Sequence, residues 1–490
     1  MKNFITTTHQ VLESKFDMKM KTKFLIGLLI VGIVSISGSV QKEVKEDISQ
    51  SVQERECVKE GIEWFQTGNT QDITKLQPRR SQELEDNRIG VDLLTYHQDA
   101  CDSYSDPELA YSLGFKWMRI SADDYHGDPL DWQRVEIEPG KYLIDPAVDE
   151  VISDYANNGI TIVLNLGVGT RENRPDETRF KSEEDVERYC NFVRFMVNHF
   201  KGRVRYYEIW NEPGDIAVKD YANLIKHVVP VIREEDPEAK IVIGAIQGDW
   251  VSGYPRYGRF ERYTVDIDYL NGLLRSEVTP LVDVISWHPF YCTRPDDPYY
   301  QNYPKMVEEI KELAASHGFN GEYLAEEILW KTYREEGEPG GPVSERIAGK
   351  YYARSILMHR GLNVIVSSNL WCTREAVQDI FHNICDIMAG AKPTELPIEI
   401  QSEATNIRSY TFSLSNSDNL IALWTDGVAV DNDPGINTTI TIPNFSAQEV
   451  MGVDVLNGYQ QDIIKNNENG NLVIQNLIVR DYPLILHIKK

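Results

Sequence analysis

The chain has 490 residues and a formal net charge of −26, with 41% hydrophobic and 10% aromatic residues. This composition argues against a disordered protein, and the length exceeds one ordinary core, so two domains are expected. The acidic balance argues against a nucleic-acid binder, because phosphate recognition needs a basic face.

Phe24 to Gly38 is an almost unbroken apolar run, preceded by Lys15, Lys19, Lys21 and Lys23 and followed by Ser39. At about 15 residues it falls short of the roughly 20 that span a bilayer, and it reads as a secretory signal peptide. An uncleaved membrane anchor is the alternative. Residues 1–40 are assigned to this segment, and the body of the protein is expected outside the cytoplasm. Residues 41–86 are polar and charged, with Ile62, Trp64 and Phe65 as an apolar cluster. They read as a linker plus a short piece docked on the main domain. The six cysteines form no CxxC pair and have no histidine spacing that suits a metal, so neither metal nor cofactor is expected. Export permits disulfides, but most of the cysteines read as buried small hydrophobes.

From residue 87 strand and helix signals alternate. Strands are predicted at Ile89–Tyr96, Phe115–Ile120, Ile160–Leu166, Val204–Trp210, Lys240–Ala245, Val282–Trp287, Glu322–Ala325 and Asn363–Ser367. Their β-branched, near-continuous apolar runs suit strands buried on both faces. Between them the periodicity predicts helices over Asp149–Asn158, from the Ser182 cap to Gly202, and over Tyr221–Glu234, Pro304–His317 and Ser344–Arg360. A last helix, Ala376–Ala389, closes the set. Eight strands alternating with helices predict a (β/α)8 TIM barrel over residues 87–392. From Pro393 short alternating strands with Asn, Gly and Pro turns predict an antiparallel β-sandwich over residues 393–490.

Two of the barrel strands end on glutamate. Tyr206-Tyr207-Glu208-Ile209-Trp210 runs into Asn211-Glu212-Pro213, and Glu322-Tyr323-Leu324-Ala325 runs into Glu326-Glu327. α/β barrels keep their chemistry at the C-terminal ends of the strands, and a carboxylate pair there suits glycosidic-bond hydrolysis. One carboxyl protonates the leaving oxygen while the other meets the oxocarbenium-like centre.

Trp210-Asn211-Glu212-Pro213 resembles the acid/base motif of clan A glycoside hydrolases, and the chain is most similar to family 39 and its relatives. Gly114-Phe115-Lys116-Trp117-Met118-Arg119-Ile120, the loop from Asp131 to Tyr142 and Val284-Ile285-Ser286-Trp287-His288-Pro289 carry the same resemblance. It covers residues 85–390, and the trailing β-sandwich is common in that group. The resemblance implies a retaining glycosidase acting on carbohydrate, with Glu212 as acid/base and Asn211 bonding a sugar hydroxyl. It places Arg119 near the nucleophile, His288 in the sugar subsite and Trp371 as a platform under the sugar ring. A structural ion pair with Glu208 is the other reading of Arg119. The family has a tyrosine two positions after the histidine; here Phe290 stands there, and Tyr291 is the candidate contact. The glycine that usually follows the nucleophile is also missing.

Successive strand residues face opposite ways, so only one of Glu326 and Glu327 enters the barrel mouth. Ala325 before Glu326 matches the family's Thr/Ala-Glu step, which selects Glu326 as nucleophile. Glu327 is then sent toward the helical layer or rim, where a salt bridge or solvent must satisfy it. Two other readings compete. One is a non-catalytic carbohydrate-binding or cell-surface protein on a similar barrel, which would not need both glutamates. The other is a metal-dependent hydrolase, for which the chain lacks any His-x-His or HExxH set.

Overall fold

A computed structural model of the chain describes residues 65–94, 107–121, 130–167, 180, 182–246, 265–290, 293–332, 343–369 and 375–490. All of them fall in one compact unit, Phe65–Lys490. The Lys-flanked apolar run, Tyr291, Cys292, Trp371 and Cys372 lie outside the described residues. Among the described residues no helix is long and apolar enough to cross a membrane.

Eight strands form a closed barrel: Ile89–Leu94, Trp117–Ser121, Thr161–Leu166, Tyr206–Ile209, Lys240–Ile246, Val284–Trp287, Glu322–Ile328 and Ile365–Asn369. Each pairs in parallel with the next, and the eighth closes on the first through Val366 and Ile89. All eight occur where the apolar runs predict them. The local signals that start helices also hold. Ser182 caps Glu183–Phe200 by accepting the Asp185 N–H at 3.1 Å. Ser344 caps Glu345–Gly361 in the same way from Ile347. A helix over Ile267–Leu274, between the fifth and sixth strands, is present although the sequence reading did not anticipate it.

The barrel interior is layered. Trp117, Val163, Tyr206, Val242, Val284, Leu324 and Ile365 form an apolar floor. Two residues further along the strands, side chains point inward again. There the layer is polar and buried: Asp92, Arg119, Asn165, Glu208, Ser286, Glu326 and Ser367. This layer supports the mouth.

The C-terminal region forms two antiparallel sheets, as predicted. One has four strands, including Ile436–Ile442 and Asn471–Val479, and the other has seven. The larger sheet recruits Ile73–Lys75, which pairs with Tyr459–Asp462, and Gln66 adds side-chain bonds to the Ile464 and Gln475 carbonyls. The sandwich is thus built from both ends of the described chain, and the segment read as a linker supplies its edge strand. Helix Glu345–Gly361 lies between barrel and sandwich and is buried on nearly every face. Its Lys350 pairs with Asp481 at 2.6 Å, and Arg354 donates to the Asp481 and Gly427 carbonyls. Buried charges persist only when paired and hydrogen-bonded, and here both are.

Candidate active site

The fourth strand ends in a turn with two left-handed residues, Trp210 at φ 70° and Glu212 at φ 48°. Left-handed backbone costs a non-glycine residue about 1–3 kcal/mol and persists only where its surroundings impose it. Here Asn165 donates to the Trp210 carbonyl at 3.1 Å, and the Trp210 ring is clamped against Phe180 and Tyr189. The turn brings Asn211 and Glu212 to the mouth together. Asn211 Oδ1 accepts from Arg119 Nη2 at 2.8 Å. Glu212 Oε1 lies 3.0 Å from His288 Nδ1, just beyond the end of the sixth strand.

The seventh strand departs from the expectation. Its pairing with the eighth shifts register between Ala325 and Ile328, and Glu327 adopts φ 53°. A bulge of this kind breaks the alternation of faces on which the choice of Glu326 rested. Glu326 points inward but stays beneath the mouth, fully buried, with Oε2 3.0 Å from Arg119 Nε. Glu327, expected to turn outward, faces the mouth instead. Its Oε1 accepts from Arg119 Nη1 at 2.8 Å, and its Oε2 lies 3.4 Å from His288 Nδ1. The ligand atoms of Glu212, His288 and Glu327 all fall within 4.8 Å of one another. Glu212 therefore has Glu327 opposite it, not Glu326.

Arg119 makes the ion pair with Glu208 that the sequence offered as one reading. It pairs with Glu208 through Nη2 at 2.8 Å and also reaches Glu327 and Asn211. Glu208 is further held by Asn165 at 2.7 Å and Ser286 at 2.8 Å. Burial alone would raise its pKa, but Arg119 and these hydrogen bonds outweigh it and hold Glu208 below the ordinary carboxylate value. Glu326 goes the other way, pushed well up by burial and by the neighbouring Glu208 charge. Burial likewise lifts Asp92 to about 6. For His288 burial would lower the pKa, but the carboxylates of Glu327 and Glu212 prevail and raise it.

Sequence reasoning assigned no role to Asp92 and Asn165, although both sit at inward positions of predicted apolar strands. A polar residue inside such a run is the signal that could have found them. Tyr291 and Trp371, the remaining predicted sugar contacts, lie outside the described residues.

Residues 117–308 match the family model described as cellulase (glycosyl hydrolase family 5). The match runs from the second barrel strand past the sixth and so includes Arg119, Asn211, Glu212 and His288. No curated protein matches the chain. Among solved structures, the chain is similar to a family 39 glycoside hydrolase from the gut symbiont Bacteroides cellulosilyticus. The TM-score is 0.59 at 18% identity, over 84% of this chain and 83% of that one. It is also similar to the catalytic domain of the family 30 xylanase C of Talaromyces cellulolyticus, with a TM-score of 0.51 at 11% identity over 85% of this chain and 100% of that one. At such identities the likeness is one of fold.

Proposed function

We propose that this barrel, a clan A glycoside hydrolase domain, cleaves O-glycosidic bonds of an oligo- or polysaccharide with retention of anomeric configuration. Glu212 is the acid/base and Glu327, in place of Glu326, the nucleophile. The observation that carries the reading is spacing. The paired oxygens of Glu212 and Glu327 lie within 4.8 Å. Retaining enzymes hold their carboxyls about 5–5.5 Å apart, whereas inverting ones leave roughly 6.5–9.5 Å for a water.

In the first step an oxygen of Glu327 bonds to the anomeric carbon as the glycosidic bond breaks, and Glu212 gives its proton to the leaving oxygen. In the second, Glu212 takes a proton from water, whose oxygen attacks from the face the leaving group vacated and displaces Glu327. Arg119 occupies Oε1 of Glu327, which leaves Oε2, beside His288, to attack. Asn211 spends its oxygen on Arg119, so its amide N–H groups serve a sugar hydroxyl.

Proton NMR of the first-formed product tests the reading. The anomer of the substrate is expected first, and early appearance of the opposite anomer would sink the retaining mechanism. The Lys-flanked run at Phe24–Gly38 supports action outside the cytoplasm. N-terminal sequencing of exported protein is expected to start near Val40; an intact segment on membrane-bound material would make it an anchor.

A further inference from the structure

We infer that Glu326 is a neutral carboxylic acid that donates its proton to Glu208, so that the two face Arg119 as a single carboxylate and Arg119 keeps Nη1 for the nucleophile. This rests on the reading of Glu327 as nucleophile. It makes Glu326 a positioning residue, acting through Arg119.

One guanidinium faces three carboxyls: Glu208 at 2.8 Å, Glu326 at 3.0 Å and Glu327 at 2.8 Å. Asp92, which bonds Ser367 and the Glu327 backbone, adds a fourth to the same layer. Glu208, Glu326 and Arg119 are almost entirely removed from water. Two touching carboxyls in such a place share a proton, because like charges in contact cannot both ionise.

The donors decide which carboxyl holds the proton. Glu208 accepts from Arg119 Nε at 2.9 Å, from Asn165 at 2.7 Å and from Ser286 at 2.8 Å. Among the described residues neither oxygen of Glu326 has a donor aimed at it. Arg119 Nε lies near Glu326, but its single hydrogen points to Glu208. A buried carboxyl without donors is stable only as the acid, and the carboxyl beside it that its proton can reach is that of Glu208. The opposed pKa directions of the pair agree with this assignment. An ionised Glu326 would instead compete for Arg119 and repel the Glu327 carboxylate.

The test combines infrared spectroscopy with substitutions. The wild-type protein, labelled with 13C-carboxyl glutamate, should show a protonated carboxyl C=O stretch persisting to about pH 8, far above an ordinary glutamate. The band should vanish in Glu326→Gln. It should vanish in Glu208→Gln as well, because removing the Glu208 charge lets Glu326 ionise beside Arg119. Glu326→Gln, which keeps a neutral donor, should lower kcat/KM by only about threefold, whereas Glu326→Leu should lose roughly a hundredfold, mostly in kcat.

Absence of the band in wild-type protein overturns the inference whether or not the variants fold. So does equal loss in the Gln and Leu variants. Failure of the nucleophile reading looks different: a 2-deoxy-2-fluoro aryl glycoside would label Glu326, and Glu326→Gln would be inactive. A label on Glu327 without the infrared band removes only the inference drawn here.

Discussion

Asp92 Oδ2 accepts the backbone N–H of Glu327 at 2.6 Å, a contact across 235 positions of chain from the first barrel strand to the seventh. The bond falls on the left-handed residue of the bulge and fixes the peptide from which the Glu327 side chain departs. Asp92 is steadied in turn by Ser367 Oγ at 2.8 Å. Asp92→Ala should therefore lower kcat by roughly ten- to a hundredfold with a smaller change in KM, as expected when a reacting group shifts by about an ångström. Asp92→Asn, which can still accept from Glu327, should lose much less. Steady-state kinetics of the two variants decide it, and equal losses would speak against an anchoring role.

Glu327→Ala should remove turnover by on the order of 10⁴-fold or more, since no covalent intermediate can form. Added azide should restore turnover of aryl glycosides and give a glycosyl azide of inverted configuration. Retention of activity in the variant, or azide products of unchanged configuration, would move the nucleophile elsewhere.

Glu212→Gln should affect substrates unequally. Poor leaving groups need protonation in the first step, whereas activated aryl groups do not. Turnover of natural oligosaccharides is expected to fall far more than formation of the covalent intermediate from aryl glycosides. Equal losses on both would contradict the acid/base role.

The raised pKa of His288 carries a stability signature. Its imidazolium is held between Glu212 and Glu327, so the folded value lies above the ordinary 6.5. A group raised on folding contributes in full below about pH 6.5 and loses that contribution as pH climbs through the folded value. Tm should therefore fall with pH above about 6.5, and His288→Asn should flatten that part of the curve. An unchanged slope in the variant would assign it to other groups.

At the junction of barrel and sandwich, Asp481 is the partner of buried Lys350 and also accepts the Val430 N–H at 2.8 Å. Asp481→Ala leaves that ammonium without its ion-pair partner and should destabilise the protein by about 3–5 kcal/mol, read from denaturant unfolding. Lys350→Met together with Asp481→Leu should recover most of the loss. A single Asp481→Ala variant as stable as the parent would mean that water replaces the carboxylate.

Much of this molecule is determined within short stretches of sequence. The runs at Ile160–Leu166 and Lys240–Ala245 have no polar face to give to solvent, so they become strands covered by helices. Ser182 and Ser344 start helices because a hydroxyl satisfies an otherwise unbonded N–H wherever it precedes a helical run. Asn211-Glu212-Pro213 marks a strand end because it follows the apolar run Tyr206-Tyr207-Glu208-Ile209-Trp210. What tertiary structure alone decided is which of two adjacent glutamates faces Glu212. Strand alternation selects Glu326, and it holds until the register shifts at Ala325–Ile328. That bulge is stabilised by Asp92 on a distant strand, and local propensity carries no record of such a partner. The edge strand Ile73–Lys75 follows the same logic: three exposed residues acquire a strand conformation only because the far end of the chain supplies Tyr459–Asp462 to pair with them. Backbone hydrogen bonds between distant segments are invisible to periodicity, and at this site they aim the side chain on which the proposed chemistry depends.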